Sequence, residues 1–157
     1  MYEKFGQFIN GKWQKSSGGE TYDVINPATE ELIGKASKAN KNDIDSCLNS
    51  AEEGFKIWKN TSPWERSKVI RRISELMRKK VDTLSKWLTL EVGKPLSEGA
   101  GEVGGAADIF EWNSEETKRI YGELNQSRFP NTRIHVYYQP VGVVAALVPW
   151  NFPLQLA

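Results

Sequence analysis

The sequence predicts an α/β fold in which a small β arm and a layer of helices lead into a buried strand of the parallel-sheet type. Residues 7–36 contain short strand-like segments separated by turn residues, and the middle of the chain has helical periodicity. Residues 141–148 are all apolar or Gly and include four valines, which suits a strand buried on both faces. The predicted parts are residues 1–40 (β arm), 41–132 (helical part), 133–140 (a separate strand) and 141–157 (the buried strand and its loop).

Composition limits the classes of function. The 157 residues are 39% hydrophobic and 26% charged, which is typical of a globular protein with a core. Lys and Arg number 21 against 20 Asp and Glu, so no overall field favours nucleic acid or an anionic membrane. The clusters Arg71-Arg72 and Arg78-Lys79-Lys80 fit a solvated helix face, with a phosphate patch as the alternative. The lone Cys47 and lone His135 predict no metal site.

No targeting or membrane segment is expected. Residues 1–5 lack a basic stretch followed by an apolar core, and no apolar run approaches the roughly 20 residues that span a bilayer. A single cysteine also agrees with a reducing compartment. We therefore expect a cytoplasmic protein.

The β arm is predicted from its turns. Asn10-Gly11 is the two-residue signal of a type I′ hairpin within residues 8–13. Two further strands, at Thr21–Ile25 and residues 31–36, flank the turn at residues 26–29.

From Asn42 the apolar period becomes helical, with Asn42 or Asp43 as the expected cap. Cys47 lies within the apolar stripe and is predicted to be a packing residue rather than a reactive thiol. The stripe comprises Ile44, Cys47, Leu48, Ala51, Phe55 and Trp58.

Three more helices follow. Ser62-Pro63-Trp64-Glu65 is a capping box with Pro at the first helical position, and it opens the second helix. Gly93 and Pro95 stop a shorter third helix, and Ser97 is predicted to cap a long fourth helix that ends at Gly122.

The fourth helix contains the letters of the dinucleotide fingerprint G-x-G-x-x-G at residues 99–104. That fingerprint requires a buried strand immediately before its first Gly, and residues 93–98 form no strand pattern. We therefore predict that these glycines allow close helix packing rather than phosphate binding.

The segment from Arg133 to Gln139 alternates with a period of two, which predicts a strand outside the main sheet that could pair with another chain. His135 on its polar face is interpreted as a surface or interface residue rather than a ligand or catalytic group.

Asn151 lies two residues beyond Pro149, which ends the buried strand. Ligands of open α/β sheets bind beyond the carboxyl ends of strands, so the Asn151 carboxamide is well placed to act on a substrate. The alternative is that Asn151 caps a turn before a helix.

Two motifs carry a resemblance to a known family. Two segments resemble parts of the NAD(P)-dependent aldehyde dehydrogenases: Val148-Pro149-Trp150-Asn151-Phe152-Pro153 and Glu91-Val92-Gly93-Lys94-Pro95. Residues 8–13 and 26–29 also match that family in order and spacing. Residues 111–122 are similar to the succinate-semialdehyde dehydrogenase branch.

This resemblance implies oxidation of an aldehyde through a catalytic cysteine, with hydride transfer to NAD or NADP and a glutamate that activates water. Asn151 matches the family's oxyanion-hole asparagine. Val148, Pro149, Trp150 and Asn151 match a stretch that lines the cofactor cleft, and the strand from Arg133 to Gln139 matches a region of homo-oligomer contact. Residues 141–157 would then provide the first strand of an open, Rossmann-like dinucleotide-binding sheet and the following loop.

Members of that family are several-fold longer, and their catalytic cysteine and glutamate match no position up to Ala157. We therefore expect the N-terminal portion of an enzyme that oxidises succinate semialdehyde or a similar short semialdehyde, inactive as this chain alone. The competing hypothesis is a non-catalytic helical interaction or oligomerisation module from a truncated gene.

Overall fold

The computed structural model describes residues 6–157, so residues 1–5, on which the signal-sequence argument rests, lie outside it. Antiparallel two-stranded sheets pair Gln7–Ile9 with Lys12–Gln14, Thr21–Ile25 with Leu32–Ser37, and Glu123–Gln126 with Arg133–Val136. Within residues 6–157 no helix is long and apolar enough to span a bilayer. The elements are β1 Gln7–Ile9, β2 Lys12–Gln14, β3 Thr21–Ile25, β4 Leu32–Ser37, α1 Lys41–Trp58, α2 Pro63–Lys79, α3 Val81–Val92, α4 Leu96–Glu116, β5 Glu123–Gln126 and β6 Arg133–Val136.

The β arm forms as predicted. Asn10 (φ 52°) and Gly11 (φ 72°) both adopt the left-handed conformation that a type I′ turn requires, and Phe8 pairs with Trp13. In the second hairpin, Ala28 N–H donates to Asn26 Oδ1 at 2.9 Å, which confirms the predicted turn.

A buried carboxylate joins this arm to α1. The cap of α1 is Asn40, so the prediction of Asn42 or Asp43 as cap is wrong. Asp43 occupies the third helical position, where its carboxylate accepts from Asn40 N–H at 3.0 Å while its own N–H donates to Asn40 Oδ1 at 3.1 Å. The same carboxylate accepts from Ser16 Oγ at 2.9 Å and Ser17 N–H at 3.0 Å. Asp43 therefore completes the capping box of Asn40 and also fixes the loop after β2.

The predicted apolar stripe of α1 is largely uncovered. Ile44 and Leu48 are 51% and 52% exposed, and Cys47 is exposed as well. The prediction that Cys47 packs in a core is wrong for the described chain, because this part of the stripe is exposed, whereas Ala51 and Phe55 are half-buried.

The predicted beginning of α2 and the predicted end of α3 are confirmed. Ser62 Oγ accepts from Glu65 N–H at 3.2 Å with Pro63 in the first turn, and Gly93 ends α3 in the left-handed conformation (φ 80°). A Cβ added to Gly93 would lie 2.8 Å from Pro27 Cγ, so the turn of the second hairpin sits against this helix end.

The fourth helix differs from its prediction at both ends. It begins at Leu96 after Pro95, and Ser97 does not cap it. It ends at Glu116, where Thr117–Arg119 form a short 3-10 helix, so the helix does not reach Gly122.

Helix α4 is the centre of the helical layer, and both α2 and α3 pack against it. Small side chains make these contacts possible: a Cβ on Gly99 would come 3.0 Å from the Ser85 carbonyl oxygen. The packing role predicted for the glycines of α4 is confirmed at Gly99, whereas Gly101 and Gly104 face open space. The most buried residues of the layer are Ser74, Ser85, Glu102, Val103, Ala106, Ala107 and Ser114.

Ion pairs join the exposed margins of α2 and α4. Arg71 contacts Glu111 and Glu115, and Arg78 lies 2.6 Å from Asp108. Arg71 and Arg78 therefore bind the neighbouring helix rather than only facing solvent. Such partly exposed pairs contribute at most about 1 kcal/mol each.

The strand from Arg133 to Gln139 is shorter than predicted and has a partner that was not predicted. It is hydrogen-bonded only over Arg133–Val136 and pairs with β5, with His135 opposite Leu124. His135 is exposed and its ring stacks on Tyr137, which agrees with a surface residue.

Residues 141–148 pair with no strand of the described chain. Without a neighbouring strand to accept and donate main-chain hydrogen bonds, the segment cannot form part of a sheet. Val141 and Leu147 are 93% and 97% exposed. The first strand of a dinucleotide-binding sheet therefore stays a prediction for this segment.

We expect a protein consisting of residues 1–157 alone to self-associate, because this apolar segment is exposed with unpaired main-chain groups. Light scattering across a concentration series should show a rising mean mass, and V144K/L147K should reduce it. S50K on α1 is the control that adds charge elsewhere. A compact wild-type monomer at high concentration would contradict the expectation.

The Asp43 site makes stability sensitive to acid. The N–H of Asn40 is the main cause that holds the pKa of Asp43 far below its ordinary value, assisted by Ser17 and Ser16. Because the pKa of Asp43 is lower in the folded protein than in the unfolded chain, the carboxylate stabilises the fold at pH values above its unfolded-chain pKa, which is about 4. This stabilisation is lost progressively as the pH falls below about 4.

We therefore expect Asp43→Asn to lower Tm at pH 7 and to flatten the fall of Tm between about pH 5 and pH 2. Circular dichroism melts over that range would measure both effects. Asp45→Asn on the exposed face of α1 is the matched control. Equal pH dependence of the Asp43 variant and wild type would contradict this role.

Candidate functional site

The loop that carries Asn151 follows the apolar segment 141–148 and folds back as a series of turns. Asn151 and Trp150 are both exposed, and Leu156 N–H donates to the Phe152 carbonyl at 3.1 Å. The loop is held by side chains from two other parts of the chain.

The first anchor is Glu102, on α4. Its side chain is fully buried, and Oε1 accepts from the main-chain N–H of Leu154 at 2.9 Å. Oε2 accepts a short hydrogen bond from Lys94 Nζ. A buried carboxylate requires such partners, because an unpaired charge in the interior is costly.

The second anchor is Lys94, in the connection between α3 and α4, where its side chain is only 9% exposed. Besides its contact with Glu102, Nζ donates to the Asn151 carbonyl at 2.7 Å and lies 4.3 Å from the centroid of the Phe152 ring. The two anchors thus fix the main chain of the loop at Asn151 and at Leu154.

The small residues of α4 also let this loop approach the helix. A Cβ added to Gly105 would lie 3.3 Å from the Gln155 side chain. The stretch that spells G-x-G-x-x-G therefore packs against α3 on one side, and the Gly that follows it packs against the Asn151 loop. No phosphate-binding turn is formed there.

The hydrogen bond that the capping interpretation of Asn151 requires is not formed. A cap at this position would accept from the N–H two or three residues later. Pro153 has no N–H, and the N–H of Leu154 already donates to Glu102. Within residues 6–157 the Asn151 side chain makes no hydrogen bond. Its amide is therefore available to a ligand.

The stretch predicted to line a cofactor cleft is accessible. Val148, Pro149, Trp150 and Asn151 are all exposed and carry no charge. Lys94, the cation that contacts this loop, is already bonded to Glu102 and to the Asn151 carbonyl. These four residues fit an apolar wall with an amide for a flat, uncharged ring, and they supply no phosphate contact. No cluster of potential metal ligands occurs within residues 6–157.

Sequence reasoning identified Asn151 but missed Lys94 and Glu102 as parts of the site. A signal for Glu102 was present, because a charged residue stood within a helix segment otherwise made of small and apolar residues. Such a residue is buried only with a partner. The two partners, Lys94 and Leu154, could not be inferred from spacing, because neither lies three or four residues from Glu102, where a helix would bring it close.

Comparison with protein families matches residues 13–157 to the aldehyde dehydrogenase family. Among curated proteins, the chain is 42% identical over 146 residues to a glutarate-semialdehyde dehydrogenase of Pseudomonas putida, covering 93% of this chain and 30% of that protein. It is 39% identical over 145 residues to the NADP(+) succinate-semialdehyde dehydrogenase of Escherichia coli K12, covering 92% of this chain and 30% of that protein.

Among solved structures, succinate-semialdehyde dehydrogenase from Burkholderia pseudomallei superposes with a TM-score of 0.92 at 36% identity. The match covers 97% of this chain and 32% of that one. The chain therefore spans about a third of the length of these relatives.

Proposed function

Because the chain belongs to the aldehyde dehydrogenase family, we propose that it is the N-terminal part of an enzyme that oxidises a short semialdehyde to the carboxylic acid with NAD or NADP. The semialdehyde class is supported by the names of the Pseudomonas putida and Escherichia coli relatives, and NADP by the latter. The chain spans 30% of each relative, so the activity belongs to the longer protein.

The overall reaction consumes one aldehyde, one water and one oxidised cofactor, and it yields the carboxylate, the reduced cofactor and two protons. The bound cofactor supplies the hydride acceptor. Attack of a nucleophile on the aldehyde carbon turns the carbonyl oxygen into an oxyanion. A neutral amide N–H can stabilise that charge without itself titrating. This is the role we assign to Asn151 Nδ2.

One observation carries this assignment. Within residues 6–157 the Asn151 Nδ2 group donates to no acceptor, so it keeps both of its N–H donors for a ligand. A donor on a main chain that is already fixed stabilises a developing charge without paying for reorganisation during the reaction. The exposed residues Val148, Pro149 and Trp150 would provide the apolar wall of the cofactor cleft.

The proposal includes a cytoplasmic homo-oligomer. The exposed aromatic side chains Tyr137 and Tyr138, which follow β6, support contact between copies along the strand from Arg133 to Gln139. A reducing compartment agrees with the single, exposed cysteine.

In the full-length enzyme, Asn151→Ala should lower kcat by about 10² to 10³, the loss measured on removing one oxyanion donor elsewhere. Asn151→Asp should be at least as damaging, because a carboxylate has no donor and repels the developing charge. Steady-state kinetics and the Kd of the cofactor by fluorescence titration would measure the effect, and the Kd should change little.

The alternative of a non-catalytic module predicts that neither variant alters turnover. A capping role predicts instead that Asp and Ser replace Asn well and that Ala lowers Tm. A normal kcat for Asn151→Asp would therefore contradict the oxyanion role, and S127A in the β5–β6 connection serves as a polar-to-apolar control.

A pure protein of residues 1–157 should have no dehydrogenase activity. The covalent step needs a cysteine beside Asn151, and the one cysteine, Cys47, lies on α1. Aldehyde-dependent formation of NAD(P)H, followed at 340 nm, should equal the rate without protein. Activity that Cys47→Ser abolishes would contradict this prediction.

A further inference from the structure

We propose that Lys94 and Glu102 are positioning residues for Asn151, which together set the direction in which its amide points. This inference rests on the proposed role of Asn151 as the oxyanion donor. The pair itself does not touch the substrate in this proposal. It acts through the main chain of residues 151–154.

The first argument is geometric. Lys94 Nζ binds the carbonyl of Asn151 at 2.7 Å, and Glu102 Oε1 binds the N–H of Leu154 at 2.9 Å. One contact is a donor and the other an acceptor, so each peptide group can satisfy its contact in one orientation only. With both ends of the turn fixed, the Cα–Cβ bond of Asn151 has a defined direction.

The second argument concerns Phe152, the residue after Asn151. Its ring centroid lies 4.3 Å from Lys94 Nζ, so the ammonium group holds the loop by a side-chain contact as well as by a main-chain one. Phe152 and Asn151 are thereby oriented by a single group. Rotation of the Asn151 peptide would disturb both contacts together.

The third argument is energetic. Glu102 is fully buried and Lys94 nearly so, and desolvation of such a pair offsets most of its attraction. Apolar residues of similar size often give equal or higher stability at such positions. The pair is therefore a weak source of stability, and its distinctive effect is the orientation that its directional hydrogen bonds impose.

The decisive variant is the double substitution Lys94→Met/Glu102→Met in the full-length enzyme. It removes both charges together, so no unpaired charge is left inside and the net charge does not change. We expect kcat to fall by about 10-fold to 10²-fold, the range that a misplacement of about 1 Å produces. Tm and the cofactor Kd should stay close to wild type.

A second variant separates the contribution of Lys94 from that of the acceptor at position 102. Lys94→Met/Glu102→Gln keeps a side-chain oxygen that can accept from Leu154 N–H, and it loses the contacts of Lys94 with the Asn151 carbonyl and the Phe152 ring. Its kcat should fall between wild type and the Met/Met variant. Arg71→Met is the matched control, because it removes ion pairs to the same helix α4 without contacting the loop. It should lower Tm and leave kcat unchanged.

A double-mutant cycle tests whether the pair acts through Asn151. In the Asn151→Ala background the Met/Met substitution should reduce kcat by less than about 3-fold, because the group that it positions is already gone. Additive losses would overturn the proposal.

Hydrogen exchange of the Leu154 amide provides a readout that does not depend on turnover. In the wild-type enzyme this amide should be protected, and the Met/Met variant should increase its exchange rate at least about 10-fold. If the wild-type amide exchanges as fast as an exposed loop amide, the anchoring contact is absent and the proposal is wrong. This measurement needs only the wild-type enzyme, so it tests the proposal even if the Met/Met variant does not fold.

The outcomes separate the two proposals. If Asn151→Ala loses 10²-fold or more while the Met/Met variant keeps full kcat, the positioning role is wrong and the oxyanion role stands. If Asn151→Ala itself retains full kcat, the oxyanion role fails, and the positioning role fails with it.

Discussion

The buried carboxylate of Glu102 is the constraint on which the C-terminal part of the structure depends. It lies in the middle of α4, the helix against which both α2 and α3 pack. Its two oxygens bind Lys94 from the preceding connection and the main chain of Leu154 from the last turn. A carboxylate at 0% exposure must have such partners, and its demand for them brings two distant segments together.

Asp43 has a similar role in the N-terminal part of the chain, where it holds a loop against a helix. It too is a buried carboxylate on a helix, and it too accepts from the main chain of a remote segment, at Ser17. Few large apolar side chains are buried among the described residues, and the centre of the helical layer is made of small ones. Directional bonds from two buried carboxylates therefore hold segments that apolar contacts alone do not hold. This construction defines the position of a loop more sharply than apolar contact, because a hydrogen bond weakens steeply with angle.

The sequence was informative where structure is local. The Asn10-Gly11 turn, the Ser62 cap and the Gly93 helix end each depend on residues within a few positions, and each was predicted correctly. Apart from the two ends of α4, errors arose where a residue's partner is distant in the chain. Asn40 rather than Asn42 caps α1, since Asn40 and Asp43 together meet the loop after β2. Cys47 follows the apolar period of α1, yet periodicity does not reveal whether another element covers the stripe.

The candidate site shows the same division between local and distant information. Asn151 could be recognised from its position after an apolar run, but the sequence left its cap and donor roles open. A cap at Asn151 would accept through its side-chain oxygen, and Glu102, 49 positions earlier, takes one of the two N–H groups that such a cap could accept from. The proline two residues after Asn151 removes the only other donor. The chain's own packing therefore prevents the capping hydrogen bond, and within residues 6–157 the Asn151 Nδ2 donors have no acceptor. Under the proposed function, a nucleophile and a cofactor supplied by another part of the enzyme would meet an amide donor whose main chain is already fixed.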